Sequence, residues 1–259
     1  MTKKKPNAQP NQSLMDGIAT LHALSTSDRP IGGRELARQL GFESTRVNRL
    51  LKTLAYIGIA RQTPDRKYTA GPGMHVLAAH SLFASGLMRS ALPALESLRR
   101  FNHTVALGVL WRDNVSYLYH ALPGMSSVDA LGRIGLFPAT KGGIGLALMA
   151  KAPVEEVNEL YRGREIPGFA NVTALHAKLR EIRSKGYARV LVYPDRDQHT
   201  VAVTVGEPAH AAVGVSGWIP DNTTKHIVEA LREVAEKIDA GGLAPQSDSV
   251  PPRASRVGV

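Results

Sequence analysis

Apolar positions recur every three or four residues through the first sixty residues, then every second residue in several later segments. In "SLMDGIATLHALSTS" the stripe Leu14, Ile18, Leu21 and Leu24 predicts a first helix, with Ser13 as its N-cap and "TSDRP" as its stop. "GGRELARQLG" places Leu36, Ala37 and Leu40 inward and ends at Gly41, a residue suited to a left-handed C-cap. After the tight turn "FES", the segment "STRVNRLLKTLAYIG" carries Val47, Leu50, Leu51 and Leu54 on one face, with Ser44 or Thr45 available to cap it. The period then changes: Ile59 and Ala60 enter a strand, Pro64-Asp65 turns, and Lys67-Tyr68-Thr69 returns. Three helices and a basic hairpin, with a short turn between the second and third helices, is the order of a winged helix-turn-helix.

Beyond Gly71-Pro72-Gly73 the pattern is helical again through "MHVLAAHSLFASG", read as a linker helix, and "LMRSALPALESLRRFN", the first helix of a second domain. Strand-like "TVALGVLW" and "VSYLYHAL" lead through a Gly-rich loop to an apolar helix in "GGIGLALMAKA". Helices in "VEEVNELYRG" and "VTALHAKLREIRSKG", strands in "RVLVY", "TVAVTV" and "AAVGVSGW", and a final helix in "NTTKHIVEALREVAEKID" complete the order. Several neighbouring strands are joined by turns too short for helical crossovers, so the sheet should be antiparallel within an α/β domain. The expected division is a disordered basic tail over 1–12, the winged helix over 13–72, a linker helix over 73–90, a second domain over 91–241 and a disordered tail over 242–259.

Charge sharpens this picture by its location. Residues 1–70 hold twelve of the 32 lysines and arginines against five acids, so a quarter of the chain carries most of the +10 net charge. Such a concentration points to a polyanion, and to nucleic acid ahead of an anionic membrane, because no amphipathic Lys/Arg and Trp/Phe surface helix accompanies it. No apolar run reaches the roughly 20 residues of a membrane span, and the basic start has no apolar region behind it, so a cytoplasmic location is expected. The absence of cysteine removes disulfides, thiolate metal sites and a thiol nucleophile. The nine histidines show no HxxxH or HExxH spacing, so neither metal nor cofactor is expected.

Taken together, "MDGIATLHALS", "GGRELARQLGFESTRVNRLLKTLAYIGIARQTPDRKYTAGPG", "LPALESLRRFNHTVALGVLWRDNVSYLYH", "GRIGLFPATKGGIGLALMA" and "LREIRSKGYA" resemble the IclR family of bacterial transcriptional regulators, from about Ser13 to Ala240. The resemblance implies a winged helix that binds operator DNA, a helical linker that pairs subunits, a GAF-like C-terminal domain for a small effector, and dimers that associate into tetramers. A recognition helix buries one face and offers base-reading groups on the other, and Ser44, Thr45, Arg46, Asn48 and Arg49 fit the second demand. Arg pairs bidentately with guanine and Asn with adenine. Lys52 is assigned to phosphate, and Arg61, Arg66 and Lys67 of the wing to backbone or minor groove.

In the second domain the two glycines opening an apolar helix leave backbone N–H groups free at its positive end, a geometry suited to a carboxylate, although a tight turn packing helix on sheet is the competing reading. The resemblance implies effector contacts at Thr140, Gly142, Gly143 and Ile144 and, on the paired strands, at Val190, Thr200 and Ser216. After "GYA" most members of the family show acidic residues, whereas this chain reads Val190, Leu191, Val192 and Tyr193. That exchange favours an aromatic acid or acid derivative over a small polar keto acid, with Met125, Leu131 and Phe137 as candidate walls. The expected function is therefore a repressor modulated by a small organic effector. The alternatives are a ligand-insensitive oligomeric DNA binder and a hydrolase. Catalysis is the weakest of these: "GVSGW" lacks the final glycine of GxSxG, "GLFPATKGG" is not a P-loop, and Asp195, Asp197 and His199 fit a polar turn equally well.

Overall fold

The computed structural model describes residues 9–132 and 135–242. The chain divides between Ala84 and Ser85 into two compact units. The first comprises α1 (Gln12–Ser25), α2 (Gly33–Leu40), α3 (Ser44–Tyr56), the hairpin β1 (Ala60–Gln62) and β2 (Tyr68–Ala70), and α4 (Pro72–Ser85), the last residue of which falls across the division. Its core gathers Leu24, Ile31, Leu36, Val47, Leu51 and Tyr68. Tyr68 ties the hairpin down: its N–H donates to Ile31 O at 2.8 Å and its carbonyl accepts from Ile31 N at 2.9 Å, so Ile31 adds a third short strand. As expected, α2 ends at Gly41 with φ 67°, the left-handed turn that aims α3 across it.

Three local expectations change. Asn11, not Ser13, caps α1 by accepting from Leu14 N at 3.1 Å, so the helix enters the stretch expected as tail. Glu43 stands at the N-cap of α3 without a side-chain bond, and Ser44 and Thr45 are already helical. The buried face of α1 runs through Asp16, Thr20 and Leu24, leaving Leu14 and Ile18 exposed. The reason is polar: Thr20 Oγ1 donates to Asp16 O at 2.7 Å and the inward Asp16 carboxylate is paired with Arg46.

The second unit is a six-stranded antiparallel sheet in the order β5-β4-β3-β8-β7-β6. Its strands are β3 (Thr104–Trp111), β4 (Asn114–Ala121), β5 (Phe137–Pro138), β6 (Ala188–Tyr193), β7 (Gln198–Val205) and β8 (Ala211–Trp218). Its helices are α5 (Leu87–Glu96), α6 (Gly143–Lys151), α7 (Val154–Leu160), α8 (Val172–Lys185) and α9 (Asp221–Gly242). Strand alternation builds two cores. Val105, Leu107, Val213 and Val215 face one side with α5 and α9, while Ala106, Ala202 and Ala212 face the other beneath α6 and α8. Small residues under α6 let a helix buried at every position from Gly143 to Ala150 lie close on the sheet. β5 falls in the segment expected as loop, and α9 extends to Gly242, the first residue of the expected tail. Residues 1–8 and 243–259, the rest of the expected tails, lie outside the described residues. No described helix is long and apolar enough to cross a membrane.

Because Leu51 is fully buried between α3 and the rest of the first unit, Leu51→Ala should destabilise that unit by about 2–5 kcal/mol. Urea unfolding followed by circular dichroism checks this; a loss under about 1 kcal/mol would mean that α3 is not anchored there.

Candidate nucleic-acid interface and effector cavity

The polar side of α3 splits into two groups. Ser44, Thr45, Arg49 and Lys52 are exposed, and among the described residues no ion pair takes up Arg49 or Lys52. Arg46 is turned inward: Nη2 contacts Asp16 Oδ2 of α1, and the guanidinium lies 5.9 Å from the Phe42 ring centroid. Asp16 is 2% exposed, and its other oxygen accepts from Gln12 Nε2 at 2.8 Å. Asn48 leans toward the start of α2, where a Cβ on Gly33 would come 2.2 Å from its Oδ1. A side chain at Gly33 would have to displace the Asn48 amide, the movable end of an exposed side chain. Arg46 and Asn48 are expected among the base readers; in the free protein Arg46 is paired with Asp16 of α1, while Asn48 is exposed beside the start of α2.

In the hairpin, Thr63 N donates to Lys67 O at 2.8 Å and Thr63 Oγ1 to Asp65 Oδ1 at 2.5 Å, while Arg66 takes φ 61° at the tip. The bonds from Thr63 and Lys67 hold the Asp65 carboxyl below the usual range. Lys67 Nζ sits 2.9 Å from Asp65, so its charge is partly spent locally, whereas Arg61 and Arg66 project as exposed cations.

In the second unit, a cavity of about 130 Å³ lies where the N-terminus of α6 meets β3, β7 and β8. Gly142, Ile144, Thr200 and Ser216 line it, as the resemblance implied. Thr200 Oγ1 donates to Ser216 Oγ at 3.0 Å, leaving the serine proton for another acceptor. Gly143 touches Thr200 so closely that a Cβ would come 2.8 Å from its Cγ2. Gly142 provides no side-chain cap, and the first backbone bond of α6 is Leu146 N to Gly142 O at 3.1 Å. The N–H groups of the preceding turn therefore carry the positive helix end toward the cavity.

The remaining expected residues lie elsewhere. Thr140 and Val190 line a neighbouring cleft of about 570 Å³ with Lys141 and Phe169, and the Thr140 hydroxyl already donates to Pro167 O at 2.6 Å. Phe137 is a wall of both spaces. Met125 packs partly buried against the core on the opposite sheet face, and its carbonyl accepts from Arg99. Leu131 is exposed. Neither borders the cavity.

Six lining residues escape sequence reasoning: Thr104, Ala106, Tyr117, His120, Gly214 and Val215, whereas Val192 and Tyr193, read from the sequence as apolar and aromatic pocket surface, do line the cavity. Strict alternation separates Tyr117 from His120, but the β3–β4 register slips between Leu107 and Gly108, leaving Leu118 as an extra residue and turning both side chains to the cavity. A second slip between Leu191 and Tyr193 does the same for Val192 and Tyr193. The Tyr117 ring lies edge-on to His120 at 5.6 Å and tilted to Phe137 at 6.4 Å. Burial pushes its hydroxyl up to about 12, with Tyr193 adding to the shift, so it stays a neutral donor. No Lys or Arg lines this inner cavity. Among the described residues no group of three or more His, Asp or Glu converges as metal ligands.

Two family models match the chain: the IclR helix-turn-helix domain over residues 13–64 and the bacterial transcriptional regulator IclR C-terminal domain over residues 79–240. Comparison with curated proteins returns no match. Among solved structures, an IclR transcriptional regulator from Alicyclobacillus acidocaldarius shares 23% identity at TM-score 0.68, covering 90% of this chain and 100% of that one. An IclR family regulator from Brucella abortus shares 22% at TM-score 0.71, with coverage of 90% and 94%. An IclR homolog from Microbacterium hydrocarbonoxydans, complexed with 4-hydroxybenzoate, shares 22% at TM-score 0.64, with coverage of 88% and 98%. At these identities the structures establish the fold, whereas the family models span both units. The chain therefore belongs to the IclR family of DNA-binding transcriptional regulators, a family of regulators and not of enzymes.

Proposed function

We propose that this regulator is a homodimeric repressor whose operator affinity changes when a single-ring aromatic acid, or a derivative of one, occupies the cavity at the start of α6. The observation that carries the reading is the lining itself: aromatic and aliphatic walls from Tyr117, Phe137, Ile144 and Val192 around an uncapped helix N-terminus, with no fixed cation. A cavity of about 130 Å³ is on the scale of the roughly 150 Å³ void that accepts benzene. The carboxylate belongs at the helix end, with the Thr200 and Ser216 hydroxyls and the neutral Tyr117 beside it. The Microbacterium hydrocarbonoxydans homolog, solved with 4-hydroxybenzoate, holds a ligand of this class.

On the DNA side, Ser44, Thr45, Arg49 and Lys52 form the reading face of α3, and Arg61, Arg66 and Lys67 brace the backbone or minor groove. Asn48 is exposed on the same face, and Arg46 pairs with Asp16 of α1 beside it. Pairing of two copies follows from α4, which buries no residue in its own chain and exposes Val76, Leu77 and Phe83, and from Leu14 and Ile18 on α1. Two paired recognition helices read half-sites whose spacing the subunit interface sets. The effector alters affinity only as far as it binds the DNA-competent and incompetent arrangements unequally.

Two expectations test the reading. On duplexes selected from a random pool by the purified protein, Arg49→Ala should weaken binding by about tenfold or more, the 1–3 kcal/mol of a base contact. Arg66→Ala should weaken selected and random duplexes alike and lower the salt slope by about one. Unchanged affinity in both variants would remove α3 and the wing from the interface. In thermal-shift titrations, 4-hydroxybenzoate or another ring acid should raise the melting temperature of the wild type, and Ser216→Ala or Tyr117→Ala should abolish that rise while apo DNA binding stays intact. No shift with any aromatic or aliphatic acid would favour the ligand-insensitive DNA binder.

A further inference from the structure

A second cavity, of about 550 Å³, opens at the opposite end of α6 and shares no lining residue with either space described above. Its floor is apolar and close-packed: Ala147, Ala150, Ile182 and Val203 are each under 5% exposed. Its rim is cationic. Arg183 Nε donates to Ala150 O at 2.6 Å, which fixes the guanidinium plane over the floor, and among the described residues no hydrogen bond or ion pair takes up its two Nη groups. Lys151 Nζ lies 3.2 Å from Glu207 Oε2, a pair exposed on both sides and therefore easily exchanged for another anion.

The helix ends that meet here add little opposing charge. Ala150 O is taken by Arg183, Met149 O by Ala152 N at 3.1 Å, and Ile182 O by Gly186 N at 2.8 Å. The nearest acid on α8, Glu181, is committed to Lys178 at 2.9 Å and Lys185 at 2.7 Å. A volume in the 300–1,000 Å³ range of small-molecule sites, an apolar floor and a forked donor held in place make a binding site for an amphipathic anion.

We propose that this cavity is a second ligand site, for an organic carboxylate with an apolar body, its carboxylate on the Arg183 fork and Lys151 and its body on the alanine floor. The inference does not depend on the effector reading, since the two spaces are lined by different residues. Octanoate titrated calorimetrically into the full-length protein should bind saturably. Octanamide, which lacks the charge, and inorganic phosphate, which lacks the body, should each bind at least about tenfold more weakly. Arg183→Gln and Lys151→Gln should each weaken octanoate by about tenfold, while Ser216→Ala in the other cavity should leave it unchanged. Hydrogen exchange on the wild type, which needs no variant to fold, should show octanoate protecting Lys151–Val154 and Arg183–Tyr187. The site is refuted by the absence of saturable octanoate binding, by equal binding of octanamide, by insensitivity to both rim substitutions, by loss in Ser216→Ala, or by protection confined to other segments.

Discussion

Eight consecutive residues of α6, Gly143 to Ala150, are buried, so most of the backbone of this helix is shut away from water. Buried backbone donors and acceptors need partners from the protein or from a ligand, and the two ends solve the problem differently. At the C-terminal end the protein supplies the partner itself, Arg183 donating into Ala150 O. At the N-terminal end no side chain caps the helix, and the space in front of it holds hydroxyls and aromatic faces without a fixed charge. An arginine there would satisfy no N–H and would leave no room for an anion. The asymmetry is what turns a structural helix into the back wall of a site, and the small residues Ala106, Ala202, Ala212 and Gly214 on the strands beneath make its depth possible.

Much of this was legible in the sequence, for identifiable reasons. Periods of 3.6 and 2 marked all the long helices and strands, and Gly41 marked the turn before α3. Gly142, Ile144, Thr200 and Ser216, which the family resemblance implied as effector contacts, line one cavity. What failed was whatever depended on breaking a period. Tyr117 and His120 share a face because Leu118 is extruded. A bulge inserts one residue without a composition signal, so strict alternation sends its neighbours to the wrong side. The walls named instead, Met125 and Leu131, are apolar at ordinary spacing and serve the opposite core or the surface.

The other failure, on α1, concerns burial order. Hydrophobicity favours the stripe Leu14, Ile18, Leu21 and Leu24, yet Asp16 and Thr20 point inward and Leu14 and Ile18 outward. Asp16 is held inward by a hydrogen bond from Gln12 and the nearby charge of Arg46, which offset the cost of burying its carboxylate. Leu14 and Ile18 are then left exposed, as are Val76, Leu77 and Phe83 of α4.

That arrangement assigns Arg46 a role different from the one its residue type suggests. A flexible arginine on the outer face would lose rotamer freedom on binding DNA and would pair with any phosphate in reach. Locked on a buried carboxylate and lying beside Phe42, it contributes instead to holding α3 against α1 and α2. Asn48 lies beside Gly33, where any larger residue would have to displace it. Removing Arg46 would leave the buried Asp16 carboxylate without its cation, whereas removing Asp16 would leave an arginine that already reaches solvent. The polar and apolar sides of α3 thus resolve into an apolar face that buries it, an arginine paired with α1, and an outer row of exposed residues, Ser44, Thr45, Asn48, Arg49 and Lys52.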